Sequence, residues 1–234
     1  MEKFADVKPQ IEQDELLLYT YYRSSCSWRV RIALELKGLK YEIAPVHLLK
    51  SDQLKQEFIK VSPLGQVPAL VINKKIALVQ SIAIMECLEE RYPEPALLPK
   101  DLHKRATVSY FEHREICEII ASGIQPLQNL GTMDKISDDE DKKLVWAQYW
   151  IHRGLTALET ILKSTSGSCC FGDDVTFADC CLVPQISNAQ RFKVDVTPFP
   201  TLMRIDKYLS TIPAFQRAHA SKQPDTPPEM VSVL

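Results

Sequence analysis

Glycine is scarce in this 234-residue chain: there are seven, scattered, with no G-x-G-x-x-G and no P-loop run among them. Dinucleotide and P-loop chemistry need glycine-rich turns that bring backbone N–H groups onto phosphates, so both are disfavoured. There is also no G-x-S-x-G elbow and no H-E-x-x-H pair, which argues against serine-hydrolase and zincin chemistry. An excess of positive charge is missing too. Lys and Arg total 28 against 30 Asp and Glu, a formal net charge of −2, and nothing favours a nucleic acid as partner. No apolar run reaches the roughly eighteen residues of a membrane span. The N-terminal stretch Met1–Glu15 is acidic and lacks the apolar core of a secretory signal; a disordered lead-in over residues 1–12 is expected.

The seven cysteines, at 26, 87, 117, 169, 170, 180 and 181, are odd in number and include two adjacent pairs. A disulfide scaffold is shorter and differently spaced, and a metal site wants C-x2–4-C spacing or nearby His. A reduced, cytoplasmic compartment and no metal are the expectation, with the adjacent pairs as small buried side chains. What remains is ordinary globular composition, 45% hydrophobic and 25% charged. That is enough apolar material to bury a core in one large domain or two of ordinary size.

Periodicity divides the chain in two. Leu16–Tyr21 is a strand-length apolar run, Trp28–Lys37 reads as a helix stopped by Gly38, and Tyr41–Val46 reads as a second strand. Strand, helix and strand within about 30 residues indicate a parallel βαβ unit. Gln53–Lys60 reads as a short amphipathic helix. Pro68 stands at the mouth of a strand ending at Ile72, and Asn73-Lys74-Lys75 separates it from Ile76–Val79 as a hairpin. A helix over Ile82–Arg91 follows, with Ser81 as N-cap. This order predicts an α/β thioredoxin-like domain over 13–96. The proline-rich connector from Tyr92 to Pro99 leads into a linker at 97–103. Beyond it, helical patterns at 104–125, 138–162, 177–188 and 200–209 predict an all-α domain over 104–222, the second of these capped by Ser137 or Asp138. A tail occupies 223–234.

The segment that carries most chemistry is Ser24-Ser25-Cys26-Ser27, at the start of the first helix. A helix N-terminus offers free N–H groups and positive partial charge, so it stabilises an anion. One cap needs one serine, yet three hydroxyls and a thiol crowd this point. Cys26 has two readings here, a low-pKa nucleophile or an auxiliary residue. The charged residues Arg23, Arg29, Arg31 and Arg191 are either solvated or clamp carboxylates bidentately.

The run Ser24–Leu34 resembles the signature of the zeta class of soluble glutathione transferases, the maleylacetoacetate isomerase family. So do Gln66–Leu70, Gln80–Ile84, Gly123–Asn129, Asn188–Asp195 and Gln223–Pro227, so the likeness spans about residues 16–228 in both domains. It implies glutathione as cofactor, bound on the first domain with the electrophile between the two. It implies glutathione contacts from Ser24, Ser25, Cys26, Ser27, Trp28 and Arg29, with Ser24, Ser25 and Cys26 catalytic. Gln53, Val67, Gln80 and Ser81 are implied as further contacts, joined from the helical domain by Gln125, Asn129, Leu130 and Gly131. A cis Pro68 would turn the Val67 backbone outward to pair with glutathione like an added strand. Arg191 is implied as the contact for a substrate carboxylate, and a homodimer as the assembly.

The implied reaction is addition of glutathione thiolate to the cis double bond of maleylacetoacetate, rotation, and elimination to fumarylacetoacetate, in phenylalanine and tyrosine catabolism. Small α-haloacids are implied as side substrates. Lowering a free thiol pKa from ~8.5 by roughly two units requires about 2.7 kcal/mol. A hydrogen bond to a charged group supplies about 1.5–3 kcal/mol and a helix terminus about 0.3–1, so Ser24 on a helix end suffices without a metal. Two other readings stay open: a glutathione-conjugating or thiol-transferring enzyme working through Cys26, and a non-catalytic binding module.

Overall fold

Alternating burial along Leu16–Thr20 makes β1 a strand with one face inside the core. In the computed structural model, which describes residues 13–98 and 108–231, it is the second strand of a four-stranded sheet in the order β2-β1-β3-β4. β2 (Glu42–Pro45) runs parallel to β1, while β3 (Ala69–Ile72) is antiparallel to it and forms a hairpin with β4 (Ile76–Val79). The expected lead-in at 1–12, residues 99–103 of the expected linker, the start of the helical pattern at 104 and residues 232–234 of the tail lie outside the described residues.

Helix α1 (Ser25–Leu36) crosses between β1 and β2. It is buried all round, with Val30, Ile32, Ala33 and Leu34 at 0% exposure, because the sheet lies on one side and the helical layer on the other. At about 1.5–3 kcal/mol per large buried apolar side chain, it is a main contributor to the core. The helix begins three residues before the expected Trp28, since Ser24 takes the cap by accepting from the Ser27 N–H. The segment expected as one helix at 53–60 splits into a 3₁₀ turn at Asp52–Leu54 and α2 (Gln56–Ile59). Ser81 is not the cap of α3 (Ser81–Arg91) but its first residue. The cap is Gln80, which has a φ of 72° and no side-chain cap bond.

The helical layer contains α4 (Val108–Glu118), α5 (Leu130–Ile136), α6 (Glu140–Thr165), α7 (Phe177–Arg191), α8 (Pro200–Leu209) and α9 (Pro213–Ala218). The helix expected to run through Gln125 loses its α register early. A π turn over Ile119–Ile124 and a 3₁₀ turn over Gln125–Gln128 follow α4. Pro126 has no N–H to continue the ladder. On the facing helix, Gly154 leaves room for the Ile124 side chain, which any Cβ there would strike. α6 is capped by Asp139, which accepts from Asp141 and Lys142, and not by Ser137 or Asp138.

One apolar cluster joins β1, α1 and α3 to α4, α6, α7, α8 and α9, so the two halves share a core. The adjacent cysteine pairs lie in it, all four buried. The connector is pinned by Lys37, whose Nζ donates to Glu89 Oε2 at 2.6 Å and to the carbonyls of Tyr92 and Pro95. Glu89 in turn accepts the Leu97 N–H.

Candidate functional site

A cleft of ≈ 1040 Å³ opens where the sheet domain meets the helical layer. Ser24, Cys26 and Arg29 reach it from α1. Helical geometry accounts for the choice: a residue three positions on returns to the same face, while its neighbours point elsewhere. Ser25, Ser27 and Trp28 are buried and do not line the cleft. Trp28 instead packs edge-on against His219, ring centroids 4.8 Å apart. The expected side-chain contacts from Ser27 and Trp28 thus meet core packing, and Ser25 retains its first-turn N–H as its route to a ligand.

Ser24 Oγ accepts the Ser27 N–H at 3.2 Å and, among the described residues, donates to nothing. One lone pair is committed to the cap, and the hydroxyl proton stays free for an anion at the helix end. The Cys26 thiol is in the opposite condition. Burial pushes its pKa up, and the attraction of Arg29 offsets this only in part. It remains a thiol at neutral pH, which weighs against the nucleophile reading.

Arg29 is 1% exposed, and Nη1 donates to Ser81 Oγ at 3.1 Å. Its Nε and Nη2 are buried with no partner, and no carboxylate lies within ion-pair distance among the described residues. An unpaired buried charge costs several kcal/mol. Two idle donors thus lie beside the start of α3, whose first-turn N–H groups have no partner within the helix. Ser81 accepts from Arg29, so its own proton is uncommitted. Gln80 adds a backbone held at positive φ, a conformation that costs of order 1–3 kcal/mol outside glycine and collects at functional sites.

Val67 and Gln53 complete this wall of the cleft. The Val67–Pro68 bond is cis, and the Val67 N–H and C=O have no partner among the described residues. Gln53 Oε1 is buried and also unpartnered. Gly65, at a φ of 61°, lets the loops around Gln53 and Val67 close together: a Cβ there would stand 2.9 Å from the Gln53 carbonyl oxygen. From the helical side come Gln125, Asn129, Leu130 and Gly131, at the break after α4 and the start of α5. The Asn129 side chain is engaged as cap, accepting the Gly131 N–H at 3.1 Å.

Arg191 stands apart from this wall, at the end of α7. Its guanidinium lies 4.3 Å from the Phe192 ring centroid. Lost hydration and the like charge of Arg23 pull its pKa down to about 10, with Tyr21 and Tyr22 nearby. Neither Arg23 nor Arg191 has a salt bridge among the described residues. Arg23 is thus a second cation beside the expected one. The sequence offers Arg23 with Arg29, Arg31 and Arg191 as either solvated or a carboxylate clamp.

Residues 23–91 match the N-terminal domain family of glutathione S-transferases. The maleylacetoacetate isomerase of Mus musculus is 53% identical over 92% of this chain and 96% of its own. The probable maleylacetoacetate isomerase 2 of Drosophila melanogaster is 53% identical over 92% of each. Among solved structures, the Anaeromyxobacter dehalogenans maleylacetoacetate isomerase with glutathione bound in its active site superposes with a TM-score of 0.81. It is 44% identical over 92% of this chain and all of that one.

Proposed function

This chain belongs to the maleylacetoacetate isomerase family, the zeta class of glutathione transferases, and from that membership and the cleft we propose that it converts maleylacetoacetate to fumarylacetoacetate with glutathione as cofactor. The observation that carries the reading is the Ser24 hydroxyl, held as a cap acceptor with its proton free at the N-terminus of α1. The polar groups around it fit glutathione. Arg29, Ser81 and the first turn of α3 offer donors for a terminal carboxylate. The unpaired Val67 backbone suits a peptide unit, and the Gln53 Oε1 suits an N–H donor.

When bound, glutathione would supply the nucleophilic thiolate for reversible addition to the cis double bond. Ser24 would donate a hydrogen bond to that anion. The bond is lost on protonation, so it depresses the thiol pKa. Cys26 stays neutral beside it and fills the wall. Arg191 and Arg23 neutralise the carboxylates of the substrate and fix its orientation. Binding both reactants at the start of α1 would remove much of the entropic barrier to addition.

The finer parts of the reading are a place in phenylalanine and tyrosine catabolism, displacement of halide from small α-haloacids by the same thiolate, and a cytoplasmic homodimer. Seven free cysteines suit a reducing compartment. Among the described residues no helix is long and apolar enough to cross a membrane. Leu49, Leu54 and Leu64, 61–71% exposed, line the cleft.

The test incubates the protein with maleylacetoacetate and glutathione and follows fumarylacetoacetate and total glutathione together. Product without net loss of glutathione is expected. Accumulation of a conjugate with stoichiometric loss of glutathione would overturn the isomerase reading.

A further inference from the structure

The C-terminal segment turns back onto the loop that carries Arg23 and Ser24. Gln223 Nε2 donates to the carbonyls of Arg217 and His219, and Thr226 Oγ1 donates to the Ala220 carbonyl. These bonds hold Asp225 in place. Its Oδ2 accepts the Tyr22 N–H at 2.8 Å, from a position 203 residues away. Its Oδ1 is buried without a partner. The Tyr22 hydroxyl reaches Met230 Sδ in the same segment.

Arg31 secures the other side of Tyr22. It is 0% exposed and donates through Nη2 to the Tyr22 carbonyl at 2.9 Å, through Nη1 to Thr20 Oγ1 at 2.9 Å, and through Nε to the Ala218 carbonyl at 3.1 Å. Both backbone groups of Tyr22 are therefore held from outside the loop. Ser24 follows two residues on, its N–H donating to the Tyr21 carbonyl at 2.9 Å. An irregular loop has no ladder to satisfy its backbone, so these partners decide its path.

We propose that Asp225 is a positioning residue of the isomerase: through the Tyr22 N–H it sets the loop that places the Ser24 hydroxyl against the thiolate and Arg23 beside Arg191. The inference rests on the Ser24 reading above. Misplacement by about 1 Å can cost 10²-fold in rate, and a loop held at single backbone bonds is open to such a shift.

The experiment compares Asp225→Ala, Asp225→Asn, Asp225→Glu and Ser24→Ala in the full chain. Ultraviolet absorbance of the bound thiolate against pH, kcat, KM and thermal unfolding are measured. Asp225→Ala should move the midpoint of thiolate formation up by about one pH unit and cut kcat about tenfold, with KM for glutathione little changed. Asp225→Asn keeps an acceptor for Tyr22 and should restore most of both. Asp225→Glu moves the acceptor by one methylene and should fall between, which keeps the test alive if the alanine variant does not fold. Lower melting temperatures with an unmoved thiolate midpoint in Asp225→Ala and Asp225→Glu would reduce Asp225 to a structural tether. A midpoint unmoved in Ser24→Ala would overturn the Ser24 reading itself.

Discussion

Replacing Ser24 separates two jobs of one hydroxyl, and their magnitudes differ enough to tell apart. As cap, Ser24 accepts the Ser27 N–H at 3.2 Å. Losing a serine cap to alanine costs about 1 kcal/mol, and to glycine only a few tenths. As donor to a thiolate it contributes about 1.5–3 kcal/mol, the range for hydrogen bonds to charged groups. That is roughly one to two pH units in the thiol pKa. Starting from a thiol that ionises near neutrality, either substitution should cut the reactive fraction and the turnover by about 10–10²-fold. Ser24→Ala and Ser24→Gly should therefore lose similar activity but differ in stability, with melting lowered by about 2–4 °C in the alanine variant alone. Thiolate absorbance against pH, steady-state isomerisation and thermal unfolding on both variants provide the readout. An activity loss that followed melting temperature, with glycine near wild type, would refute the donor assignment and leave Ser24 a cap.

Cys26→Ala should retain isomerase turnover within about tenfold, less than ~1.4 kcal/mol of barrier, because burial holds that thiol neutral; a dead variant in the steady-state assay would favour thiol transfer. Ser81→Ala should weaken glutathione binding by about 1–3 kcal/mol in calorimetry, since the carboxylate would lose the Ser81 hydroxyl as a donor. Arg191→Ala should raise KM for maleylacetoacetate by about 10-fold or more while leaving that for glutathione in place; the reverse pattern would move Arg191 to the cofactor. Asp206 on α8 tests stability against pH: burial raises its pKa to about 6. The folded state thus binds more protons than the unfolded one, and stability is lost as pH rises from about 4 to about 6. Asp206→Asn should recover on the order of 1–2 kcal/mol at pH 7 and little at pH 4; equal melting shifts at both would exclude the carboxyl as the cause.

The parts of this molecule legible in its sequence are those set by short-range chemistry. The order of strands and helices through Arg91 follows from apolar spacing and turn residues, and the serine cluster marks the start of α1 within three residues. Side-chain direction at that start was less legible. A cluster of polar types suggests that all face one ligand, but a helix turns about 100° per residue. Only Cys26 and Arg29 share the cleft with the cap residue, and Ser27 and Trp28 turn inward. Pro126 accounts for a break in the helix but not for the π turn ahead of it, where Ile124 packs into the space left by Gly154 across the helix pair. Arg29 was legible as a candidate carboxylate clamp, but its burial with two idle donors is recognised only once every neighbour is known. Asp225 is the extreme case. Its donor partner, the Tyr22 N–H, lies 203 residues away, and no periodicity spans that distance. The general reason is physical: burial and capping act over one or two turns, whereas a site is assembled by contacts that the whole fold must close first.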